Sequence, residues 1–330
     1  MSDLDDIMLT ARGFMESRIL LSAVELDLFT HVGSGASAAA VARAAATDPR
    51  ATATLLNALV AMGLLTKQAD VYACAAAAAR YLAAGSPDDT RVALKHNLSL
   101  WSTWSTLTEC VRRGTTLRTE EMAERGDDWT VPFIALMHRN AAQRAPLVIK
   151  AVGVEGVRRM LDVGGGSGAY SIAFAQAKPD LEAEVFDLPT VLPIARGHVA
   201  AAGLQGRVTL RPGDLRTDDL GTGYDLVLVS AICHMLGPAE NVDLLRRIHR
   251  ALAPRGRVVI QDHVMAADGT APRPGAIFAI NMLVGTPAGG TYTEDEYAAW
   301  LRAAGFTNVR HLPLPGPNAL MVAARGQVPG

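Results

Sequence analysis

Cysteine is scarce in this chain of 330 residues, which has only Cys74, Cys110 and Cys233. None sits at CxxC or metal-ligand spacing, so neither a disulfide framework nor a zinc module is encoded, and a reducing compartment is expected. Long apolar runs are also missing: nothing approaches the ~20 residues of a spanning helix. The N-terminus offers Asp3, Asp5 and Asp6 where a secretory leader would be basic. The expectation is a cytoplasmic, soluble chain with no membrane partner. Charge of one sign is lacking too, since 31 basic and 33 acidic residues leave a formal net charge of -2. That balance gives no broad footprint for nucleic acid and points to a small organic partner. What is present is apolar: 49% of the residues are hydrophobic, enough for one large core or two ordinary ones, and the length favours two domains.

Apolar positions Ile19, Leu20, Ala23, Val24 and Leu28 recur at helical spacing over 17–29, until His31-Val-Gly-Ser-Gly35 stops them. Residues 37–46 predict a second helix. Residues 49–62 predict a third, with the stripe Leu55, Leu56, Leu59 and Val60, closed by Gly63. Residues 64–66 and 71–73 alternate as a small hairpin. Three helices and a hairpin describe a winged helix. Between Ser37 and Met62, however, Arg43 and Arg50 are the only basic residues, too few for the phosphate contacts that dominate DNA affinity, so a protein-binding role is predicted. Residues 75–79 read as helix. The stretch 90–152 is helical and rich in large side chains, among them Trp101, Trp104, Trp129, Phe133 and Met137. These either line an apolar pocket or pack domains and a dimer interface.

Beyond Gly156 the pattern changes. Apolar runs at 159–163, 183–186, 207–210 and 224–229 alternate with helix-length segments, and runs at 257–260 and 319–323 follow. This predicts an α/β domain with an open, mostly parallel sheet covered by helices. Thr293 and Glu296 form a capping box for a late helix that Gly305-Phe306 closes.

The densest signal is Leu161-Asp-Val-Gly-Gly-Gly-Ser-Gly168, followed by Phe186-Asp-Leu-Pro189. It reads as a strand, a glycine turn, a helix and a second strand ending in an acid. Glycines let the backbone pass close to a ligand, and Asp187, 19 residues after Gly168, is placed to accept hydrogen bonds from a ribose diol. Methyl-donor and nicotinamide cofactors share this geometry. Asp162 favours the first: a carboxylate beneath the loop suits the cationic, amino-acid-bearing S-adenosylmethionine better than a pyrophosphate.

These segments resemble the plant-type, small-molecule O-methyltransferase family, and the likeness covers nearly the whole chain. Ile19-Leu-Leu-Ser-Ala-Val-Glu-Leu-Asp-Leu-Phe29 is similar to the opening helix of the family's N-terminal dimerisation domain. The glycine run resembles its cofactor loop, Phe186 to Pro189 its ribose-binding strand end, and Ile232-Cys-His234 the segment that carries its catalytic histidine. The resemblance implies a Rossmann-like class I methyltransferase domain over 153–330. It further implies a winged-helix-like dimerisation domain over 1–95, a helical linker and pocket-forming region over 96–152, and a homodimer. Gly164 and Gly166 would lie beside the donor's amino-acid end, and Asp187 and Leu188 at the ribose. Asp214 would face the adenine amine, with Leu215 packed on the ring and Ser230 where many relatives carry a lysine.

For the reaction, the resemblance implies His234 as the general base for an acceptor hydroxyl, oriented by Asp262 28 residues further on. An imidazole accepts a proton near neutral pH, and a carboxylate fixes its tautomer. The acceptor is expected to be small, apolar and planar, with an aromatic or enolic hydroxyl, enclosed by Phe133, Met137, Phe278, Met282 and Tyr292. Trp104 comes from the same helical region. Phe133 and Met137, like Phe278 and Met282, are four residues apart and can share a helix face. No metal is called for, and secondary metabolism is the expected setting.

Three departures stand out. Tyr292 occupies the place of a second orienting carboxylate, and a phenol with an ordinary pKa near ~10 supplies no such negative field at neutral pH. Met235 replaces an acid that commonly follows the histidine, and Glu294 reads as a first-turn helix acid. Ser230 keeps a polar group but not a lysine's charge. Two alternatives follow. One is a metal-assisted C-methyltransferase of a 2-oxo acid, with His138, His234, His263 and Asp262 as ligands. There, adjacent Asp262 and His263 can face one pocket only if their strand has ended. The other is a noncatalytic regulatory or assembly subunit that keeps the donor fold.

Overall fold

The computed structural model describes residues 3–120 and 124–326, and the chain forms two compact units that divide between Trp101 and Ser102. In the first unit Asp3 caps α1 (Leu4–Arg12) by accepting the Asp6 amide at 3.0 Å, and Asp5 and Asp6 sit in its positive first turn. Where one helix was expected over 17–29 there are two, α2 (Phe14–Glu25) and α3 (Leu28–Val32), broken at Asp27 with its left-handed φ of 52°. The Asp27 carboxylate accepts from Thr30 Oγ1 at 2.6 Å and from the Arg91 guanidinium, and these bonds favour the turn over continued helix.

β1 (Ala36–Ser37), α4 (Ala38–Ala44), α5 (Pro49–Ala61), β2 (Leu65–Gln68), β3 (Val71–Cys74) and α6 (Ala76–Leu82) complete the winged helix, with Ser37 and Asp48 as N-caps. β3 lies between β1 and β2, and Phe29, Val41, Leu56, Leu59 and Tyr72 are buried in this unit's core. α7 (Arg91–Trp104) follows.

In the second unit α8 (Leu107–Arg113) and the 26-residue α9 (Asp127–Val152) precede the sheet. Strand and helix then alternate through β4 (Arg159–Val163), α10 (Ala169–Ala177), β5 (Glu182–Asp187), α11 (Leu192–Ala201) and β6 (Val208–Pro212). β7 (Tyr224–Ser230), α12 (Pro238–Ala251), β8 (Leu252–Asp262), β9 (Val264–Met265) and α13 (Arg273–Gly285) come next. The chain closes with β10 (Tyr292–Thr293), α14 (Glu294–Ala303), β11 (Phe306–Pro313) and β12 (Ala319–Arg325). The main sheet runs β11-β12-β8-β7-β4-β5-β6, with β4 to β8 parallel and β12 and β11 antiparallel.

Period-two alternation sorts the side chains of this sheet. Leu161, Val227, Val229 and Ile260 pack with Leu244 and Ile248 of α12 and Leu301 of α14, while Met160, Val185, Leu228 and Val259 pack with Val148 of α9 and Phe174 of α10. From β4 the chain builds outward to β6, then crosses to add β7 and β8 on the other side. Such a reversal opens a crevice at the carboxyl ends of the strands, and the ends of β4, β5, β7 and β8 carry the residues singled out above. Among the described residues no helix is long and apolar enough to cross a membrane.

Candidate active site

The loop after β4 is a backbone surface that side chains cannot fill. Gly164, Gly166 and Gly168 hold φ values of 64°, 57° and 74°, and a Cβ on Gly164 would lie 2.4 Å from Ile232 Cδ1. Asp187 fixes the loop from the end of β5, accepting the Gly166 and Leu188 amides, each at 2.7 Å. Burial pushes its carboxyl up to about 6 despite those two bonds. Beneath the loop Asp162 is buried as well, and its Oδ2 accepts from Ser171 Oγ at 2.8 Å while its Oδ1 has no partner. Burial, with the nearby charge of Asp187, pushes Asp162 up to about 7. The acid is therefore not a fixed negative charge but one that a cationic ligand would favour. An orphaned carboxylate oxygen beneath a bare backbone cradle fits the amino-acid end of S-adenosylmethionine.

Leu215 Cδ2 lies 3.5 Å from the same Cβ position on Gly164, so the structure brings Leu215 and Ile232 to the loop together. Asp214 is held in a turn: its Oδ1 accepts the Arg216 amide at 2.8 Å, and its own amide donates to Asp218 Oδ2 at 2.9 Å. Ser230 donates to Gln261 Oε1 at 2.6 Å, and the Tyr170 hydroxyl donates to the same oxygen at 3.1 Å. Neither partner was apparent in the sequence, although a glutamine inside an apolar strand is a detectable signal.

At the ends of β7 and β8, His234 and Asp262 meet. His234 Nδ1 lies 2.7 Å from Asp262 Oδ1, and the His234 amide donates to Oδ2 at 3.2 Å. Burial alone would raise Asp262, but the charge and hydrogen bond of His234, with the His263 amide, hold it below the usual carboxylate range. An ionised carboxylate only accepts, so Nδ1 carries the shared hydrogen, and in the neutral ring Nε2 holds the lone pair. The turn bearing His234 is fastened from several sides. Ala231 leaves the strand at a φ of 58°, Asn241 Nδ2 donates to the carbonyls of Cys233 at 2.9 Å and Leu236 at 3.2 Å, and the Gly290 amide donates to the His234 carbonyl at 2.9 Å.

The Tyr292 hydroxyl donates to the Leu236 carbonyl, and burial pushes it up to about 12. Its hydrogen is thus committed to backbone, not to His234. Glu294 opens α14, as its position suggested, and accepts from His311 Nδ1 at 2.8 Å if that nitrogen carries the hydrogen.

Phe278 of α13 stands edge-on to His234, with ring centres 4.8 Å apart, and 4.6 Å from His263. β8 ends at Asp262, which lets His263 leave the strand's alternation. Met282 is buried one turn further along α13, and its neighbour Asn281, overlooked in the sequence, accepts from Trp104 Nε1 at 2.9 Å. Phe133 stacks on Trp129, while Met137 is half-buried on the same helix. His138 is drawn elsewhere: its Nδ1 lies 2.8 Å from Ser167 Oγ and its ring stacks 3.8 Å from that of His198. Among the described residues no three His, Cys, Asp or Glu side chains gather as metal ligands.

A reversed parallel sheet, a glycine cradle with two buried acids, and a histidine–carboxylate pair at neighbouring strand ends define a class I methyltransferase. The comparisons agree. Residues 104–307 match the O-methyltransferase domain and residues 8–84 the O-methyltransferase dimerisation domain. The chain is 33% identical to a 3-hydroxy-5-methyl-1-naphthoate 3-O-methyltransferase of Streptomyces sahachiroi, covering 95% of this chain and 92% of that protein. It is 31% identical to the tetracenomycin polyketide synthesis 8-O-methyl transferase TcmO of Streptomyces glaucescens, covering 97% and 96%. Among solved structures, that of PigF with SAH superposes with a TM-score of 0.90 at 28% identity, over 98% of this chain and 99% of that one; PigF of Serratia sp. is an S-adenosyl-L-methionine-dependent methyl transferase. The chain belongs to the plant-type O-methyltransferase family and is an S-adenosylmethionine-dependent O-methyltransferase.

Proposed function

We propose that the acceptor is a planar, aromatic hydroxylated metabolite and that His234 removes its hydroxyl proton. The observation that carries this reading is the His234–Asp262 pair, whose geometry leaves Nε2 as the acceptor of the neutral ring, with the Phe278 ring perpendicular to it at a centre distance of 4.8 Å. S-adenosylmethionine, when bound, supplies a methyl on a sulfonium whose C–S bond breaks as the new O–C bond forms. His234 Nε2 takes the proton, and Asp262 stabilises the imidazolium that results. Gly164, Gly166 and Asp162 would hold the donor's amino-acid end, Asp187 and Leu188 the ribose, and Asp214, Leu215 and Ser230 the adenine. Phe278, Met282, Phe133, Met137, Tyr292 and Trp104 would enclose the acceptor and hold its oxygen in near-attack geometry. The two Streptomyces relatives, named for a hydroxynaphthoate and for polyketide synthesis, support an aromatic acceptor.

The working unit in this reading is a homodimer. α1 buries none of its residues, and Leu4, Ile7, Leu9 and Phe14 are each more than half exposed, an apolar display that a second copy would cover. All three cysteines are free thiols, which supports the cytoplasm as its compartment. The test is labelled methyl transfer to a panel of phenols, hydroxylated polyketides and 2-oxo acids, with mass determination in solution alongside. Transfer to a phenolic oxygen that His234→Ala abolishes is expected. Donor binding with no transfer to any phenol, or transfer to carbon of a 2-oxo acid, would overturn the reading.

A further inference from the structure

Arg125 lies immediately before Gly126, the N-cap of α9, and its side chain is 9% exposed. Its guanidinium carbon sits 4.2 Å from the centre of the Trp129 ring, which in turn stacks on Phe133 at 4.6 Å. A buried guanidinium ordinarily fills its five donors with oxygens. Here Nε has no hydrogen-bond partner, and among the described residues the carboxylate paired with it, Glu120, is 4.0 Å away and half exposed. Burial and the like charge of Arg118 push Arg125 down to about 10. The first-turn acids Asp127 and Asp128 are exposed, where solvent screens them.

We propose that Arg125 reads a carboxylate on the acceptor, so that the substrate class is a hydroxyaryl carboxylic acid. This rests on the reading above that Phe133 faces the acceptor. The planar guanidinium fork matches a carboxylate in two parallel hydrogen bonds, a pairing that neither a neutral ring nor an ester can give. Trp129 lies between that fork and Phe133, with one face taken by each, so the same helix offers a charge and, one turn further on, the Phe133 ring to an aryl acid. The positive end of α9 reinforces the preference for an anion. The acid then anchors one end of the acceptor while its hydroxyl is left for His234.

The experiment uses the intact protein with S-adenosylmethionine and a panel of hydroxybenzoates and hydroxynaphthoates, each paired with its methyl ester. At least one acid should exceed its ester by about tenfold or more in kcat/KM. Arg125→Met should erase that preference by raising KM for the acid, with KM for the ester and cofactor affinity changed by less than about twofold, and Arg125→Lys should restore it in part. Acids and esters methylated equally by the unaltered protein overturn this proposal alone. So does an Arg125→Met variant that loses both equally, since that marks a structural role. No transfer to any hydroxyarene overturns the aromatic-acceptor reading and this proposal with it.

Discussion

Asp262 grips His234 twice, through the ring Nδ1 at 2.7 Å and through the backbone amide at 3.2 Å. One carboxylate thus sets both where the imidazole sits and which nitrogen is free. His234→Ala should lower kcat by ~10²–10⁴-fold, the usual worth of a positioned base, with cofactor affinity held. Asp262→Asn, which can present an amide hydrogen to Nδ1 and select the wrong tautomer, should also cost about 10²-fold or more. The double variant should be little worse than His234→Ala, because the two act as a unit. Steady-state kinetics with calorimetric cofactor titration checks all three, and full turnover in His234→Ala would leave proximity as the sole catalyst.

The two acids under the glycine loop make a pH prediction. Burial pushes Asp162 up to about 7 and Asp187 up to about 6, whereas in the unfolded chain such carboxyls titrate near ~4. Between those values the folded protein keeps protons that the unfolded chain has lost. The contribution of these groups to stability is therefore full below about pH 4 and is lost as pH rises through about 6 and then about 7. Melting temperature of the cofactor-free protein should decline across that interval, and Asp162→Asn should flatten the upper part of the decline. Cofactor binding near pH 6.5 should release protons, read as a dependence of calorimetric heat on buffer ionisation. An unchanged slope in Asp162→Asn would show that Asp162 does not titrate there.

Gly164 is the point where the cofactor loop touches the histidine turn. A Cβ there meets Ile232 Cδ1 at 2.4 Å and must adopt a φ of 64°, and Ile232 lies two residues before His234. Gly164→Ala should cost ~1–2 kcal/mol for the left-handed conformation and ~1–3 kcal/mol for overpacking, with weaker cofactor binding. Adding Ile232→Ala should recover part of the overpacking cost but none of the conformational one. Denaturant unfolding of the single and double variants separates the two, and a Gly164→Ala protein as stable as the parent would remove the close contact.

The parallel strands were legible because apolar runs such as 224–229 are buried on both faces. The place of Asp187 at the end of β5 was legible because the apolar run 183–186 stops there. Less readable was β11, an antiparallel edge strand in which Asn308 at a φ of 52° accompanies a register shift between Thr307 and Arg310; edge strands carry polar residues and irregularities that blur the alternation. The break at Asp27 was hidden since Arg91, which holds it, lies 64 residues away. For the same reason Asn281 went unnoticed: its partner Trp104 is 177 residues distant. A buried polar side chain declares itself only when the fold shows what it satisfies.

Asn241 and Tyr292 share the Leu236 carbonyl, yet they should not matter equally. Asn241 is fully buried and its amide also holds the Cys233 carbonyl, so Asn241→Ala removes a donor from two carbonyls, which keep the Leu236 amide and the Tyr292 hydroxyl respectively, and frees the turn that positions His234. A loss of ~1–3 kcal/mol in stability is expected from the two lost hydrogen bonds. A drop of about tenfold or more in kcat should accompany it, since small displacements of a base are expensive in rate. Tyr292→Phe removes one donor from a carbonyl that still keeps Asn241. It should cost ~1 kcal/mol and leave the pH profile of kcat in place. If instead Tyr292→Phe shifts that profile while Asn241→Ala does not, the tyrosine acts on the proton transfer directly and the fastening role assigned to it here is wrong.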